Sequence, residues 1–310
     1  MNNLEKKLRV LRSPRQLLKR VMWKTSKMWP ERTYLKVLSL INTGSGIDLD
    51  HPKTYNDKLN WMKLYYHKMI FTQMVDKYGA KEFVINRLGK EGGKYIIPAL
   101  GIYEKFDDID FDKLPNQFMM KCTHDSGSQI VCKDKASFNK NKARAILEKG
   151  LNRDYFWHNR EWPYKNVPKR ILVEKYVPQL GYDDSIEYKV TCCDGKVKFI
   201  TVCKGPAHEE PERRFNNHYD INWKPIEFEV VFKRYPKEYD RPKCLEELIT
   251  MSEKLSEGIP YLRVDWYDVN GELLFGELTF YTWGGTCIFE PKSFNKTLGD
   301  WITLPNPCVE

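Results

Sequence analysis

The sequence lacks the features that define several classes of protein. No run of eighteen apolar residues occurs, so no transmembrane helix is expected, and no apolar signal-peptide core stands near its start. Its eight cysteines form no CxxC pair and its six histidines show no metal spacing, which argues against a zinc site. The thiols are therefore expected to be reduced, as in a cytoplasmic protein. With 41% hydrophobic and 14% aromatic residues, wholesale disorder is excluded.

Positive charge is concentrated in one short stretch. Residues 1–34 hold ten Lys or Arg and two Glu, a net +8 of the chain's +9. Their apolar residues fall roughly at helical spacing, and Pro14 is expected to divide the stretch into two short helices. A basic amphipathic arm with Trp23 is typical of membrane-surface binding, at the inner face of the plasma membrane. The alternative is a helix packed on its own domain, and no motif for reading nucleic acid is present.

The remaining chain predicts an α+β fold. Residues 35–117 form a mainly helical region that leads into the fold, residues 118–177 a small lid subdomain and residues 178–310 a C-terminal subdomain. Strands are expected near 118–122, 129–133, 171–177, 186–191 and 198–202, with helices at 139–152 and 244–257. The polar, proline-rich stretch 205–225 is interpreted as a surface or substrate loop.

A hairpin from Tyr261 to Tyr281 carries the densest chemistry. Arg263 and Asp265 leave one strand on the same face, because side chains alternate with a period of two, and Glu277 and Thr279 do the same on the return strand. The two carboxylates share a face only if the Asn270-Gly271 turn gains a residue, with Gly271 left-handed in a bulge. Paired carboxylates suit Mg²⁺. The alternative is a solvated outer face of the sheet.

A small-residue loop, Ser126-Gly127-Ser128, separates two predicted strands. Such a loop can lay its backbone N–H groups along phosphates, although glycine–serine turns are also common without function. Lys121, on the otherwise apolar strand before the loop, is difficult to explain as a structural residue.

The order of these motifs is more specific than any one of them. The chain resembles the ATP-grasp superfamily, in particular its TupA-like (teichuronopeptide-synthesis-type) branch, which is associated with surface polysaccharide synthesis. The resemblance rests on the following segments: Asp76-Lys77, Leu114-Pro115, Met120-Lys121 with the Ser-Gly loop, Val173 to Val177, Glu187-Tyr188-Lys189, Arg263-Val264-Asp265, Gly276 to Thr279 and Gly284-Gly285. It implies two α+β subdomains that clasp ATP.

The resemblance also implies roles at the phosphate end of the nucleotide. Lys77 and Lys121 are similar to the two lysines that hold the ATP phosphates. Ser126, Gly127 and Ser128 are similar to the mobile lid loop over those phosphates.

Further positions resemble those that hold the nucleoside. Glu174, Lys175 and Val177 look like the hinge that reads adenine, largely through backbone atoms. Glu187 resembles the carboxylate that binds the ribose hydroxyls, although a longer loop precedes it here. Lys189 shares its strand face and is expected to reach a phosphate.

The hairpin supplies the reacting end in this resemblance. Arg263 resembles the arginine that stabilises the transferring phosphorus and the tetrahedral carbon. Asp265 and Glu277 resemble the Mg²⁺ ligands. The third ligand of the family is an asparagine, and Thr279 stands in its place, which predicts a looser or more hydrated second magnesium.

The implied activity is an ADP-forming carboxylate–amine ligase that acts on a capsular or cell-wall glycan precursor and joins it to an amino acid or amino sugar. We expect Arg213, Arg214, Tyr219 and Asp220 to contact the acidic substrate. One alternative is a kinase that transfers phosphate to a sugar hydroxyl. Another is a glycosyltransferase of the same pathway, which would leave the lysines and carboxylates without a role.

Overall fold

A computed structural model describes residues 14–180, 186–204 and 214–310 of the chain. Among the helices of these ranges, none combines the length and the apolar composition of a membrane-spanning segment. Their α-helices are α1 (Pro14–Lys24), α2 (Glu31–Thr43), α3 (Tyr55–Tyr65), α4 (Met69–Val75), α5 (Gly79–Leu88), α6 (Lys140–Leu151), α7 (Phe156–Asn159), α8 (Leu245–Ser256) and α9 (Phe294–Asp300).

Two antiparallel sheets form the framework around the site. The strands of the described ranges are β1 (Tyr66–His67), β2 (Ala99–Tyr103), β3 (Phe118–Cys122), β4 (Gln129–Cys132), β5 (Ile171–Lys175), β6 (Ile186–Cys193), β7 (Lys196–Lys204), β8 (Phe215–Tyr219), β9 (Pro225–Ile226), β10 (Glu229–Val230), β11 (Tyr261–Val269), β12 (Glu272–Thr279), β13 (Phe289–Glu290) and β14 (Cys308–Val309). The larger sheet has the order β12-β11-β6-β7-β8-β9 and the smaller β2-β5-β3-β4. The expected α+β class is confirmed.

The smaller sheet begins earlier in the chain than the lid boundary at residue 118. Strand β2 pairs with β5 and so belongs to the same sheet as β3 and β4. A separate apolar core, with Phe118, Leu147 and Val173 fully buried, joins this sheet to helix α6. The boundary at 118 therefore leaves out a strand that the sheet contains.

The larger sheet and the helical region share one core. Helix α3 contributes Tyr55 and Leu59 to it, and α8 contributes Leu248, all almost inaccessible to solvent. Helix α3 starts sharply because the Thr54 side chain accepts from Asp57 N and the Asp57 side chain accepts from Thr54 N. This fixed start sets the position of the polar residues that α3 turns toward the site.

The hairpin brings its acidic residues together by a different device from the one expected. Val269 pairs with Glu272, so Asn270 and Gly271 form a two-residue turn, both with positive φ. The expectation of a bulge at Gly271 is therefore wrong. The extra residue is Gly276, because Asp265 pairs with Glu277 while Trp266 pairs with Phe275. A Cβ at Gly276 would lie 3.0 Å from Asp265 O, so the bulge favours glycine.

The basic arm is partly attached to the domain. Helix α1 begins at Pro14, a favourable first position. Met22 is buried against Tyr34 and Leu38 of α2. The helix expected before Pro14 lies outside the described residues.

The stretch 205–225 is not wholly a loop. Residues 215–219 form β8, which pairs with β7 and carries the buried side chains Asn217 and His218. The strand was missed because its sequence, Phe-Asn-Asn-His-Tyr, holds polar residues whose partners come from other parts of the fold. Residues 205–213 lie outside the described ranges.

Candidate active site

Charged side chains form a row across the larger sheet. Glu277, Asp265 and Lys189 are direct cross-strand neighbours on β12, β11 and β6. Arg263 lies two residues before Asp265 and has Thr279 opposite it. The prediction that these strands present their charges on one face is confirmed.

Arg263 joins the carboxylates of this row. Its Nε and Nη2 donate to Asp265 Oδ1 and Oδ2, both at 2.6 Å, and Nη2 also lies 3.3 Å from Glu277 Oε1 and 3.1 Å from Thr279 Oγ1. Lys189 Nζ donates to Asp265 Oδ2 at 2.6 Å. The two carboxylates therefore converge on one cationic group.

Asp265 is fully buried yet remains charged. Burial alone would raise its pKa, but Arg263 and Lys189 outweigh the burial and hold the pKa of Asp265 below its usual value. Burial would lower the pKa of Lys189, but Asp265 and Glu187 reverse this effect and raise that pKa. Asp265 and Lys189 are thus stabilised by charged neighbours rather than by water, whereas Glu277 is exposed to solvent.

A second buried cluster lies in the smaller sheet. Glu174, 1% exposed, receives Lys121 Nζ at 2.5 Å and Lys81 Nζ at 2.6 Å. Burial would raise the pKa of Glu174, but the two lysines hold it below its usual value. The side chain of Glu174 is therefore a partner for lysines, and any adenine contact there falls to backbone atoms.

Lys81 was not anticipated from the sequence. It donates to Ile97 O at 2.7 Å as well as to Glu174. Its spacing of four residues from Lys77 is the one sequence signal that could have indicated it.

Lys77 lies between the two sheets. The pKa of Lys77 is below its usual value, mainly because of burial. Lys121 of the smaller sheet lowers this pKa further, whereas Glu277 of the larger sheet raises it in part. Its ammonium group donates to the backbone oxygen of Asp125, just before the small-residue loop. Lys77 is thus near enough to Lys121 and Glu277 for each to influence its pKa, and we propose that these three side chains border one cleft.

The small-residue loop is anchored at one end. Ser128 is buried, and its hydroxyl donates to Asp125 while its backbone oxygen accepts from Cys122 N at 3.2 Å. Ser126 and Gly127 are exposed, and Gly127 has a φ of +89° with open space around its Cα. Phosphate contacts by Ser126 and Gly127 remain predictions, whereas the Ser128 hydroxyl is engaged within the protein.

A cavity of about 250 Å³ lies beside the predicted hinge. Lys175, Tyr176 and Val177 form one side of it, and Leu274 of the larger sheet lies on another. Ile96, Pro98 and Leu274 contribute apolar surface to its wall, which is typical of a pocket for a small molecule.

Glu187 and Arg214 are bound to one another. Arg214 Nη2 donates to Glu187 Oε2 at 2.7 Å, and Lys189 Nζ lies 2.8 Å from Glu187 Oε1. A ribose hydroxyl would therefore meet a carboxylate that two cations already hold. Arg213 lies outside the described residues.

Tyr219 and Asp220 have structural partners. The Tyr219 hydroxyl donates to Glu238 at 2.6 Å, and its ring stacks on Trp223 with centroids 4.3 Å apart. Asp220 accepts from Asn222 N and Lys224 N, which closes a turn. The Tyr219 side chain is thus used in packing and the Asp220 side chain in a turn. These contacts give no support to the prediction that Tyr219 and Asp220 bind substrate.

A further polar network was missed because it joins distant parts of the chain. Lys63, buried in α3, donates to Gly284 O at 2.6 Å and to Asn60 Oδ1 at 3.0 Å. Asn60 in turn donates to Gly285 O at 2.7 Å. The helix thereby fixes the glycine loop that follows the hairpin.

Comparison with known protein families shows which family the chain belongs to. A family model described as TupA-like ATPgrasp matches residues 57–303. The chain belongs to this TupA-like ATP-grasp family. The match covers both sheets and most of the residues discussed above, so the predicted family and fold are confirmed.

Similarity to other proteins is more distant. The D-alanine–D-alanine ligase from Bacillus anthracis, solved with ATP, is 17% identical over 67% of this chain and 55% of its own, with a TM-score of 0.39. The N5-carboxyaminoimidazole synthetase from Staphylococcus aureus is 13% identical over 76% and 53%, with a TM-score of 0.41. This TupA-like chain thus spans about half the length of these ligases. No curated protein sequence matches it significantly.

Proposed function

We propose that the protein is an ATP-dependent carboxylate–amine ligase, which forms an amide through an acyl phosphate and releases ADP. The observation that carries the proposal is the contact of Arg263 with Asp265, Glu277 and Thr279, and Lys77 lies near enough to Glu277 for this carboxylate to raise its pKa against the effect of burial. Phosphoryl transfer needs positioning and charge neutralisation above all, and this cleft supplies both.

The nucleotide would lie across the space between the sheets. We propose that its adenine occupies the cavity lined by Val177 and Leu274. Its phosphates would extend toward Lys121 and Lys77, which border the cleft on the side of the small-residue loop.

The donor set fits Mg²⁺. Asp265 and Glu277 already converge on one cationic atom, Arg263 Nη2, at 2.6 and 3.3 Å. Within the described ranges no group of three His, Cys, Asp or Glu side chains is placed to hold a metal, so phosphate oxygens and water would supply the remaining ligands. Bound there, Mg²⁺ would neutralise phosphate charge.

The proposed reaction has two steps. A carboxylate oxygen attacks the γ-phosphorus and the bond to the β–γ bridging oxygen breaks, giving an acyl phosphate and ADP. An amine nitrogen then attacks the acyl carbon, the bond to the phosphate oxygen breaks, and the nitrogen releases a proton to solvent. We propose that Arg263 stabilises the negative charge that accumulates in each step.

The substrates we propose are an acidic sugar of a capsular or cell-wall glycan precursor and an amino acid or amino sugar. The association of the TupA-like branch with surface polysaccharides supports this choice. The test is release of ADP and phosphate that requires both an acid and an amine, together with a product whose mass corresponds to an amide.

Two variants test whether ADP release depends on the proposed phosphate-binding lysine. Lys121→Met should lower ADP release about 100-fold, because it removes a phosphate-facing cation. Lys196→Met is the matched control, since Lys196 pairs with Glu253 on an exposed surface. Formation of AMP, or failure of every acid–amine pair to stimulate ADP release, would contradict the ligase. A product that gains phosphate instead of an amide would indicate a kinase.

We also propose that the arm binds an anionic lipid surface. Leu17, Leu18 and Val21 of α1 are 48%, 56% and 52% exposed. The sequence from Pro14 to Pro30 carries five basic residues and no acidic one. An exposed apolar face flanked by positive charge is complementary to a negatively charged headgroup layer, where each Lys or Arg contributes about 1 kcal/mol.

Sedimentation with vesicles tests the arm. The protein should bind vesicles containing phosphatidylserine, release them at high salt, and bind pure phosphatidylcholine weakly. Leu18→Ser should weaken binding. Leu40→Ser should not, although Leu40 on α2 is similarly exposed at 54%. Equal binding by both variants would contradict a role for α1.

A further inference from the structure

A second cavity opens beside the charged row, toward the opposite edge of the larger sheet. It has a volume of about 50 Å³, and Arg263 and Lys189 form part of its wall. Asn216 and His218 of β8 also line it, and they are 6% and 1% exposed. Asn216 Oδ1 and His218 Nε2 are buried without a hydrogen-bond partner. Unpaired buried polar atoms cost free energy, so each one requires an explanation.

The register of the sheet explains where this cavity lies. Asp265, Lys189, Thr201 and His218 follow one another as cross-strand neighbours on β11, β6, β7 and β8. Three strand spacings separate Asp265 from His218, about 14 Å. The row is charged at β11 and β6 and neutral at β7 and β8.

His218 stays neutral and has a fixed orientation. Burial lowers the pKa of His218 to about 3, with a further contribution from Arg234. Its Nδ1 lies 2.9 Å from Thr201 Oγ1, and its ring stacks on Phe228 with centroids 3.8 Å apart. Its Nε2 therefore offers a hydrogen bond without a charge.

An exposed aromatic ring borders the same cavity. Trp283 is 49% exposed and has a φ of +52°, an uncommon conformation for a bulky residue. The hydrogen bonds from Lys63 to Gly284 O and from Asn60 to Gly285 O hold the loop in this form. Strain that a buried network maintains is a frequent feature of binding sites.

We infer that Asn216, His218 and Trp283 form a neutral subsite for the hydroxylated body of a carboxylic acid whose carboxylate faces Arg263. Hydroxyl groups pair with Asn216 Oδ1 and His218 Nε2, and the C–H face of the ligand lies against the Trp283 ring. The cavity itself admits only the leading groups of such a ligand, and the remainder lies toward Trp283 at its edge. This inference rests on the proposed function, because it assigns the acid-binding part of that site.

Calorimetry on the full chain tests the subsite without turnover. With Mg²⁺ and the ATP analogue AMP-PNP bound, D-glucuronate should bind, and cyclohexanecarboxylate, which has the ring and carboxylate without hydroxyls, should bind at least about tenfold more weakly. Asn216→Leu should weaken D-glucuronate binding about tenfold. It should leave AMP-PNP affinity unchanged and the Tm unchanged or higher, because an unpaired polar atom is removed.

Asn222→Leu, in an exposed turn of the same sheet, is the control and should change neither affinity. The subsite is overturned if D-glucuronate fails to bind the AMP-PNP complex, binds no better than cyclohexanecarboxylate, or binds both variants equally. It is also overturned if Asn216→Leu lowers the Tm and both affinities together, which indicates a structural role filled by water. Failure of the wild type to bind AMP-PNP would instead refute the proposed function.

Discussion

Lys121 Nζ lies 2.5 Å from the buried carboxylate of Glu174 on the neighbouring strand. The same carboxylate holds Lys81 at 2.6 Å. One acidic group therefore fixes two cations at the side of the cleft where we propose that phosphates bind. Two lysines and one carboxylate leave a net positive charge in this cluster, which would attract the negatively charged phosphates of a nucleotide.

Glu174→Gln should lower both stability and nucleotide binding. The change leaves Lys81 and Lys121 buried without a counter-charge, and breaking a buried pair in this way costs about 3–5 kcal/mol. Chemical denaturation gives the free energy of unfolding. Glu253→Gln is the control, because its partner Lys196 is largely exposed and such pairs contribute about 0–1 kcal/mol. Equal losses in the two variants would contradict the role of Glu174.

The stability difference between the wild type and Glu174→Gln should depend on pH. The folded-state pKa of Glu174 is below its usual value of about 4.3, so its stabilisation is fully present at neutral pH and is lost as the pH falls below about 4. The difference in Tm between wild type and Glu174→Gln should therefore shrink on acidification. A difference that is constant between about pH 7 and about pH 3.5 would contradict the lowered pKa.

Gly276→Ala should damage the site more than the fold. The new Cβ would lie 3.0 Å from Asp265 O and 3.1 Å from the Tyr267 ring, at a cost of about 1–3 kcal/mol. The resulting shift would misalign Arg263 and Glu277, and we expect ADP release to fall at least about tenfold. Gly46→Ala, where a Cβ meets nothing within 4 Å, should leave both measurements nearly unchanged. An active, stable Gly276→Ala protein would contradict the need for glycine in this bulge.

Lys63 should make the stability of the protein depend on pH in the alkaline range. Burial lowers the pKa of Lys63 to about 8, below the unfolded value of about 10.4, so the unfolded chain binds more protons between these values and stability rises with pH. Lys63→Met removes this contribution. The Tm of the wild type should therefore gain on that of the variant from about pH 8 to about pH 10, and a flat difference would contradict the lowered pKa.

Thr279→Asn tests the metal assignment. An amide oxygen is a better ligand than a hydroxyl, so the Mg²⁺ concentration for half-maximal ADP release should fall several-fold. Thr303→Asn, at an exposed position, should leave the Mg²⁺ requirement unchanged. An unchanged requirement in Thr279→Asn would show that this position does not reach the metal.

Much of the site could be predicted because it lies within single strands. Arg263 and Asp265 share a face by the alternation of side chains, and Lys189 and Glu187 do so on the next strand. The strand Phe118–Cys122, with Lys121 in it, was also predicted with its observed bounds. In these cases the local pattern alone fixes which side chains leave the same face.

The sequence by itself determined the family, the α+β class and which charges leave the same face within each strand of the hairpin, since these follow from local period and motif order. Only the tertiary structure decided that the extra residue is Gly276 rather than one in the turn, because a bulge depends on the pairing of both strands. It also decided that Glu174 holds Lys81 and that Lys63 holds the loop at Gly284. Those contacts join residues far apart in the chain, and packing of whole elements, which no local pattern encodes, brings them together.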